Sequence, residues 1–162
     1  MSEKQEFLKV WEREFTTTLK VLKAFPGAQA DLKPHERCRS AKELAWTFVL
    51  ELRGIDNALK GNMDPSIFRV PPPAKYDEAV TTYEKEHRDI TARIKKTPDG
   101  DLDQTIKFPT GPGKMGEVRK LDFFWFILMD CVHHRGQFSV YLRMAGGKVP
   151  SIYGPSADEK WS

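Results

Sequence analysis

Four segments of the chain carry apolar side chains every three or four residues, and this repeat is the strongest constraint on the fold. The spacing places those side chains on one face of an α-helix. We expect helices from about Ser2 to Phe25, Ser40 to Gly61, Lys75 to Thr97 and Glu117 to Ala145. Such helices are stable when their apolar faces are buried against one another. The sequence therefore predicts an all-α fold, a four-helix bundle.

Capping and turn-forming residues mark the ends of these helices. Pro26 and Gly27 follow the first helix, and Gly61 ends the second. Ser40, with Glu43 three residues later, is typical of a capping box at the start of a helix. These signals support the predicted boundaries independently of the apolar repeat.

The connectors between the predicted helices are longer than is usual in a bundle. The order of the helices around the bundle therefore need not be up-down-up-down. Residues 101–108 alternate enough to permit one short strand, and residues 109–116 are predicted to form a loop. A non-helical C-terminal tail is expected from Lys148 to Ser162.

Size, charge and cysteine content exclude several classes of protein. A chain of 162 residues fits one domain, residues 1–162. Its 26 basic and 23 acidic residues give a net charge of +3 without a long basic run, which argues against a nucleic-acid partner. No apolar stretch is long enough to anchor the chain in a membrane. Cys38 and Cys131 are far apart and form no disulfide framework, so we expect a reducing, cytoplasmic location.

Three ionisable side chains fall on helix faces that are otherwise apolar. Asp130 and His134 are four residues apart in the fourth helix and are therefore neighbours on one face. Glu51 follows Phe48 by three residues and precedes Ile55 by four, so it lies on the apolar face of the second helix. Periodicity alone thus directs two acids and one imidazole toward a common interior.

This combination predicts a divalent metal site formed by Glu51, Asp130 and His134. Helix bundles build their metal sites from acids and histidines on facing helices. Oxygen and imidazole ligands suit zinc, nickel, iron or manganese. Three protein ligands leave positions open for water or substrate, as in catalytic sites.

Other interpretations of the same residues are open at this stage. Asp130 and His134 could simply be hydrogen-bonded to each other in the core, and Glu51 could pair with an arginine. The candidate arginines are Arg53, Arg135 and Arg143. Nearby residues are assigned structural roles: Cys131 as a small core residue, His133 as a packing or supporting residue, His35 and His87 as exposed or modestly hydrogen-bonded, and Gly136 as a site of close helix packing.

The segment HHRGQFSVYLRMAGGKVPSIYGPS, residues 133–156, resembles the C-terminal signature of the DinB-like (damage-inducible, YfiT-like) superfamily. A weaker likeness, PHERCRSAKELAW at residues 34–46, matches the usual entry to the second helix of these proteins. The resemblance implies a four-helix bundle with a long crossover connection, which is usually a homodimer. It also implies a divalent metal held by three histidines, one from helix two and two from an HxxxH motif in the last helix.

The chain departs from that family pattern at two of the three ligand positions. The second histidine of HxxxH corresponds to His134, but the first corresponds to Asp130. The helix-two ligand falls near Trp46 or Thr47, neither of which is histidine, and Glu51 is one turn further along. Either the site has changed to Glu51, Asp130 and His134, or it has decayed to a pocket. The inward placement of both acids favours a changed site, because an unpartnered buried charge is heavily penalised.

The resemblance implies two classes of function. The first is a metal-dependent enzyme, a thiol S-transferase or a hydrolase, whose partners are a small-molecule substrate and a low-molecular-weight thiol. Its catalytic residues are not selected by the sequence, although His133, Tyr83, Tyr141 or Tyr153 could assist. The second is a non-catalytic ligand-binding or stress-response dimer with a degenerate metal site.

Overall fold

A computed structural model of the chain describes residues 2–61 and 63–161, so Met1, Asn62 and Ser162 of the predicted domain lie outside the described residues. The described chain is mostly helical, with one small antiparallel sheet, in agreement with the predicted all-α class. In chain order, the elements are α1 (Glu3–Ala24), α2 (Ala41–Leu59), α3 (Tyr76–Lys96), the short α4 (Asp99–Leu102), β1 (Thr105–Gly111), β2 (Lys114–Arg119) and α5 (Lys120–Met144). Two 3₁₀ turns, Gly27–Gln29 and Pro65–Arg69, lie in the connectors.

The four long helices form a ring in which sequence neighbours are not always spatial neighbours. The principal contacts join α1 to α3, α3 to α2, α2 to α5 and α5 back to α1. The helices α1 and α2 therefore lie on opposite sides of the ring, which agrees with an order other than up-down-up-down. Since α2 and α5 are neighbours, side chains on their facing sides can meet.

The core is built from the apolar faces that the sequence repeat predicts. Buried apolar residues from all four long helices form one cluster, among them Phe7, Phe48, Ile90 and Phe138. The Ser40–Glu43 capping box is present: the Ser40 amide donates to Glu43, and the Glu43 amide donates to the Ser40 hydroxyl. No helix within residues 2–61 and 63–161 is long and apolar enough to cross a membrane.

The largest departure from the predicted secondary structure lies just before α5. The loop expected at residues 109–116 is instead most of a hairpin, in which β1 pairs with β2 in antiparallel register from Thr105↔Arg119 to Gly111↔Lys114. The register shifts between Pro109 and Gly111. Pro109 has no backbone N–H and cannot donate a hydrogen bond to the other strand, so an irregularity there is expected. Because β2 extends to Arg119, α5 begins at Lys120 and not at Glu117.

The turn of α5 around Arg135 anchors the C-terminal tail. The Arg135 guanidinium is almost fully buried and donates 2.7 Å to a Glu14 carboxylate oxygen, 3.2 Å to the Thr18 hydroxyl and also to the Tyr153 hydroxyl. Tyr153 in turn donates to Glu14. Burial alone would raise the pKa of Glu14, but the hydrogen bonds from Tyr153 and Arg135 hold it below its ordinary value. One arginine thus joins α1, α5 and the tail.

We predict that Arg135→Met destabilises the chain by at least about 3 kcal/mol, because Glu14 would keep only the exposed Arg13 as a cationic partner. Arg143 offers a matched control on the same helix, since it pairs with Asp158 at the surface. Arg143→Met should lower the free energy of unfolding by no more than about 1 kcal/mol. Urea unfolding of the two variants measures the difference, and equal effects would contradict the assignment.

The histidine of α3 is buried rather than exposed. The ring of His87 stacks on Phe15, with centroids 3.6 Å apart, and on Trp11 at 4.9 Å. Its Nδ1 atom lies 3.4 Å from the Thr91 hydroxyl, and its Nε2 atom has no partner among the described residues. Burial, with a smaller contribution from Lys95, lowers the pKa of His87 to about 3. Of the two alternatives predicted for His87, exposure was therefore wrong, whereas a modest hydrogen bond, with Thr91, is present.

We predict that His87 makes the chain less stable as the pH falls below about 6.5. Below pH 6.5 the unfolded chain binds a proton at His87, whereas the folded chain does so only near pH 3. The contribution of His87 to the free energy of unfolding is therefore complete above pH 6.5 and falls as the pH approaches 3. Between pH 7.5 and 5.5 this loss amounts to about 1.4 kcal/mol. His87→Phe should remove that part of the pH dependence in urea unfolding, whereas the control His35→Phe, in an exposed loop, should not. An unchanged pH dependence in His87→Phe would refute the prediction.

Candidate metal centre

The three side chains singled out in the sequence come together between α2 and α5. The ligand atoms that Glu51, Asp130 and His134 offer all lie within 4.8 Å of one another. The Glu51 Oε1 atom is 2.6 Å from His134 Nδ1, and the Asp130 Oδ1 atom is 3.8 Å from the same nitrogen. Asp130 and His134 share one face of α5 because they are one turn apart, and α2 brings Glu51 opposite them.

Glu51 is the most buried member of the group, with only 4% of its side chain exposed. Its second carboxylate oxygen, Oε2, accepts a hydrogen bond from the Cys131 thiol at 2.8 Å. Burial raises the pKa of Glu51, and the hydrogen bonds from His134 and Cys131 oppose that rise. Both oxygens of the carboxylate are thus oriented by α5.

His134 lies at the boundary between the core and the solvent, with 13% of its side chain exposed. The hydrogen bond to Glu51 raises the pKa of His134, against the opposing effect of burial. The imidazole can therefore carry a positive charge beside the carboxylate. This interaction holds the ring in place across the α2–α5 interface.

Cys131 is a buried core residue, as predicted, but it also contacts the site. Burial raises the pKa of its thiol well above the ordinary value, and the neighbouring Glu51 carboxylate raises it further. The thiol is therefore a hydrogen-bond donor to Glu51 and not an activated nucleophile. Sequence reasoning missed this contact, although Cys131 is three residues before His134 and so on a nearby side of the same helix.

The alternative partners proposed for Glu51 are engaged elsewhere. Arg53 pairs with Glu86 at 2.7 Å, Arg135 with Glu14 at 2.7 Å, and Arg143 with Asp158 at 2.6 Å. The alternative of an arginine partner for Glu51 is therefore not realised in the described chain. The alternative Asp130–His134 hydrogen bond is also not formed at 3.8 Å.

Asp130 is less buried than the apolar repeat predicted. Its side chain is 38% exposed and lines a cavity, so it does not point into the closed core. His133 is exposed, and its Nε2 atom lies 2.9 Å from the Gln137 amide, so it does not support the site. Gly136 is also exposed, and a Cβ atom there would contact nothing within 4 Å, so the predicted close helix packing is not found within the described chain.

The cavity above the three residues has a volume of about 560 Å³, within the range of small-molecule sites. Glu51, Asp130 and His134 are among the residues that line it. The side walls come from segments to which the sequence assigned no site: the connector that carries Phe68 and the hairpin that carries Phe108. The Trp46 indole N–H donates 2.9 Å to the Val70 carbonyl and so ties that connector to α2.

The tyrosines named as possible helpers are not in this cavity. The Tyr141 hydroxyl donates to the Arg39 carbonyl, and Tyr153 belongs to the Arg135 network. Tyr83 is buried in the core, where burial raises its pKa well above the ordinary value. None of the three is among the cavity-lining residues of the described chain.

The donor set fits a divalent ion. One imidazole nitrogen and two carboxylate oxygens suit zinc, nickel, iron or manganese. Metal–ligand bonds of about 2.1 Å would require the ligand atoms to be about 3 to 4 Å apart. Because they already lie within 4.8 Å of one another, small side-chain rotations would be enough to bind an ion. An ion could replace the proton between Glu51 and His134 Nδ1. Alternatively, it could be bound by the other imidazole nitrogen, in which case Glu51 would orient the ring.

Comparison with known proteins agrees with this architecture. The family model described as "DinB family" matches residues 1–161. The chain belongs to the DinB family. The uncharacterized protein YrdA of Bacillus subtilis (strain 168) is 26% identical over 157 residues, which cover 96% of this chain and 90% of YrdA.

Two solved DinB-like structures share the fold. A DinB-like protein from Bacillus cereus ATCC 10987 has a TM-score of 0.78 at 22% identity, covering 92% of this chain and 97% of its own. The DinB-like protein YjoA from Bacillus subtilis has a TM-score of 0.69 at 17% identity, covering 88% and 94%. At these identities, the likeness shows that the chain has the fold of the DinB family.

Proposed function

We propose that this DinB-family chain is a divalent-metal-dependent enzyme, a thiol S-transferase or a hydrolase, in which Glu51, Asp130 and His134 hold the metal. The convergence of their ligand atoms within 4.8 Å carries the proposal. Zinc, nickel, iron and manganese are the candidate ions. A small-molecule substrate and a low-molecular-weight thiol are the proposed partners.

The burial of Glu51 supports the presence of a cation. A carboxylate removed from water is costly unless a positive charge compensates it. The three arginines within reach along the chain are paired with other acids, which leaves the half-buried His134 beside Glu51. A divalent ion shared with Asp130 would compensate both carboxylates at once.

The protein's own residues would set the geometry of the reaction. A divalent ion, when bound, lowers the pKa of a water or thiol held in its open position and so supplies a nucleophile at neutral pH. Cys131 fixes one Glu51 oxygen, while α5 fixes Asp130 and His134 relative to each other. The apolar cavity walls would exclude bulk water from the reacting groups, which strengthens electrostatic interactions there.

We predict that the native chain, purified without a histidine tag, binds one zinc or related ion per chain by elemental analysis and calorimetry. His134→Ala and Asp130→Asn should each weaken binding by at least about 100-fold, because each removes one of three ligands. Glu51→Gln should weaken it as well, whether Glu51 is a ligand or orients His134.

His133→Ala is the matched control for the metal experiment. It removes the adjacent imidazole, which is exposed and bonded to Gln137, and should leave the metal content unchanged. Urea unfolding of each variant checks that the bundle is intact. Less than a tenth of an ion per native chain, or loss of metal in His133→Ala alone, would refute the proposed site.

The replacement of two of the family's three histidines favours a second candidate, a non-catalytic ligand-binding module. The two candidates differ in turnover. An enzyme loaded with metal should transfer a thiol to an electrophile, or hydrolyse a model ester, and should lose that activity in His134→Ala. A binding module would hold the metal or a ligand and show no turnover across the same panel.

We further propose that a second copy of this chain packs on the outer face of α5, in a reducing compartment such as the cytoplasm, where Cys38 and Cys131 stay free. Exposed apolar residues follow one another along that face at spacings close to helical turns: Phe126, Met129, Val140 and Met144. A helix that is apolar on all sides is usually covered on all sides. The exposed Gly136 lies within this stripe, where its small size would allow two helices to approach closely.

We predict that the native chain sediments as a dimer and that Met129→Glu converts it to a monomer, because a carboxylate would be buried in the interface. Met115→Glu is the matched control: Met115 is 64% exposed and Met129 is 70% exposed, but Met115 is on β2. Analytical ultracentrifugation measures both. A monomeric native chain, or dissociation by Met115→Glu alone, would rule out this interface.

A further inference from the structure

The cavity over the proposed metal centre is lined mostly by apolar residues, among them the aromatic rings of Trp46, Phe68, Phe108 and Phe126. Phe108 of β1 packs edge-on against Phe123 of the core, with centroids 4.9 Å apart, and lies 5.9 Å from Phe126 of α5. Phe68 faces them from the connector and rests close to Gly54, where a Cβ atom would come within 3.2 Å of the Phe68 ring. Such walls suit a planar or aromatic ligand, since aromatic rings favour offset or edge-on contacts.

Two cations lie among these apolar walls. Arg39, just before α2, donates 2.9 Å to the Thr47 hydroxyl, which holds its guanidinium beside the cavity. Lys107 of β1 also lines the cavity. Neither lies within ion-pair distance of a carboxylate in the described chain, so both charges are available to a ligand.

The remaining acid of the cavity wall is already engaged. Glu43 accepts the Ser40 amide at 2.6 Å in the capping box, and this hydrogen bond lowers the pKa of Glu43. The charges of Glu51 and Asp130 would be compensated by a divalent ion. Among the remaining lining residues, the two cations Arg39 and Lys107 would then outnumber the single carboxylate of Glu43.

We propose that the cavity binds an apolar, aromatic molecule that carries one anionic group, with Arg39 and Lys107 selecting the anion and Phe68 and Phe108 holding the apolar part. This assignment rests on the proposed function for the identity of the site and names the class of its substrate. The composition of the cavity carries it: mostly apolar lining residues, two unpaired cations among them, and the three proposed metal ligands in the same cavity.

A pair of fluorescent probes tests the charge preference directly. Anilinonaphthalene sulfonate and N-phenylnaphthylamine share the same rings and differ by the sulfonate. The native chain should bind the sulfonate more tightly than the neutral probe. The double variant Arg39→Gln/Lys107→Gln should weaken sulfonate binding by about 3- to 10-fold and neutral-probe binding by less than about 2-fold.

Matched variants inside and outside the cavity test whether the probes bind there. Arg37→Gln/Lys114→Gln removes an arginine and a lysine that are exposed outside the cavity, and it should leave both affinities unchanged. Phe108→Ala should weaken both probes by about 10-fold, because it removes a wall. Met144→Ala, on the outer face of α5, should weaken neither. Urea unfolding shows that each variant is folded.

The outcomes separate this proposal from the metal site. Added zinc should tighten sulfonate binding to the native chain, and Asp130→Asn should abolish that effect. If zinc neither binds nor changes the probe affinities while the Arg39/Lys107 effect persists, the metal proposal fails and the substrate class stands. Equal affinities for the two probes, binding of neither, or equal losses in both double variants would overturn the substrate class whether or not zinc binds.

Discussion

The burial of the Glu51 carboxylate is the constraint from which the rest of the site follows. A charged side chain with 4% exposure, between Phe48 and Ile55 in the core-facing part of α2, is unfavourable unless neighbours compensate it. The compensation comes from α5, where His134 and Cys131 each bond one carboxylate oxygen. The α2–α5 interface is therefore held by polar contacts at the position where it opens into the cavity.

The buried guanidinium of Arg135 lies away from this site. Arg135 follows His134 directly, but one residue along an α-helix corresponds to a rotation of about 100°, so its side chain leaves on a different side of α5. There it meets Glu14 and Tyr153 between α1 and the tail. The two buried acids of the described chain thus have separate partners: Glu14 has a permanent cation, whereas Glu51 has an imidazole whose charge is variable. A permanent guanidinium beside Glu51 would have competed with a metal.

Sequence periodicity located the helices and the three clustered residues, because both depend on which face of a helix a residue occupies. It could not locate the cavity walls, since the connector around Phe68 and the hairpin around Phe108 have no helical repeat and their positions depend on tertiary contacts. Prolines and glycines in residues 109–116 indicated a loop, yet the ladder with β1 outweighed those local preferences. The burial of His87 was likewise hidden, because stacking on Phe15 and Trp11 comes from another helix.

The fourth long helix also shows why periodicity misjudged Asp130, His133 and Gly136. Apolar side chains lie on nearly every side of α5, toward the core at Phe138, toward the cavity at Ile127 and outward at Met129. With no polar side to define the opposite face, the direction of the core along this helix is ambiguous from sequence. In the structure, α5 has three surfaces: one packs in the core, one lines the cavity, and one is the exposed stripe. The same helix thus carries Asp130 and His134 on the side of the cavity and Met129 on the exposed stripe.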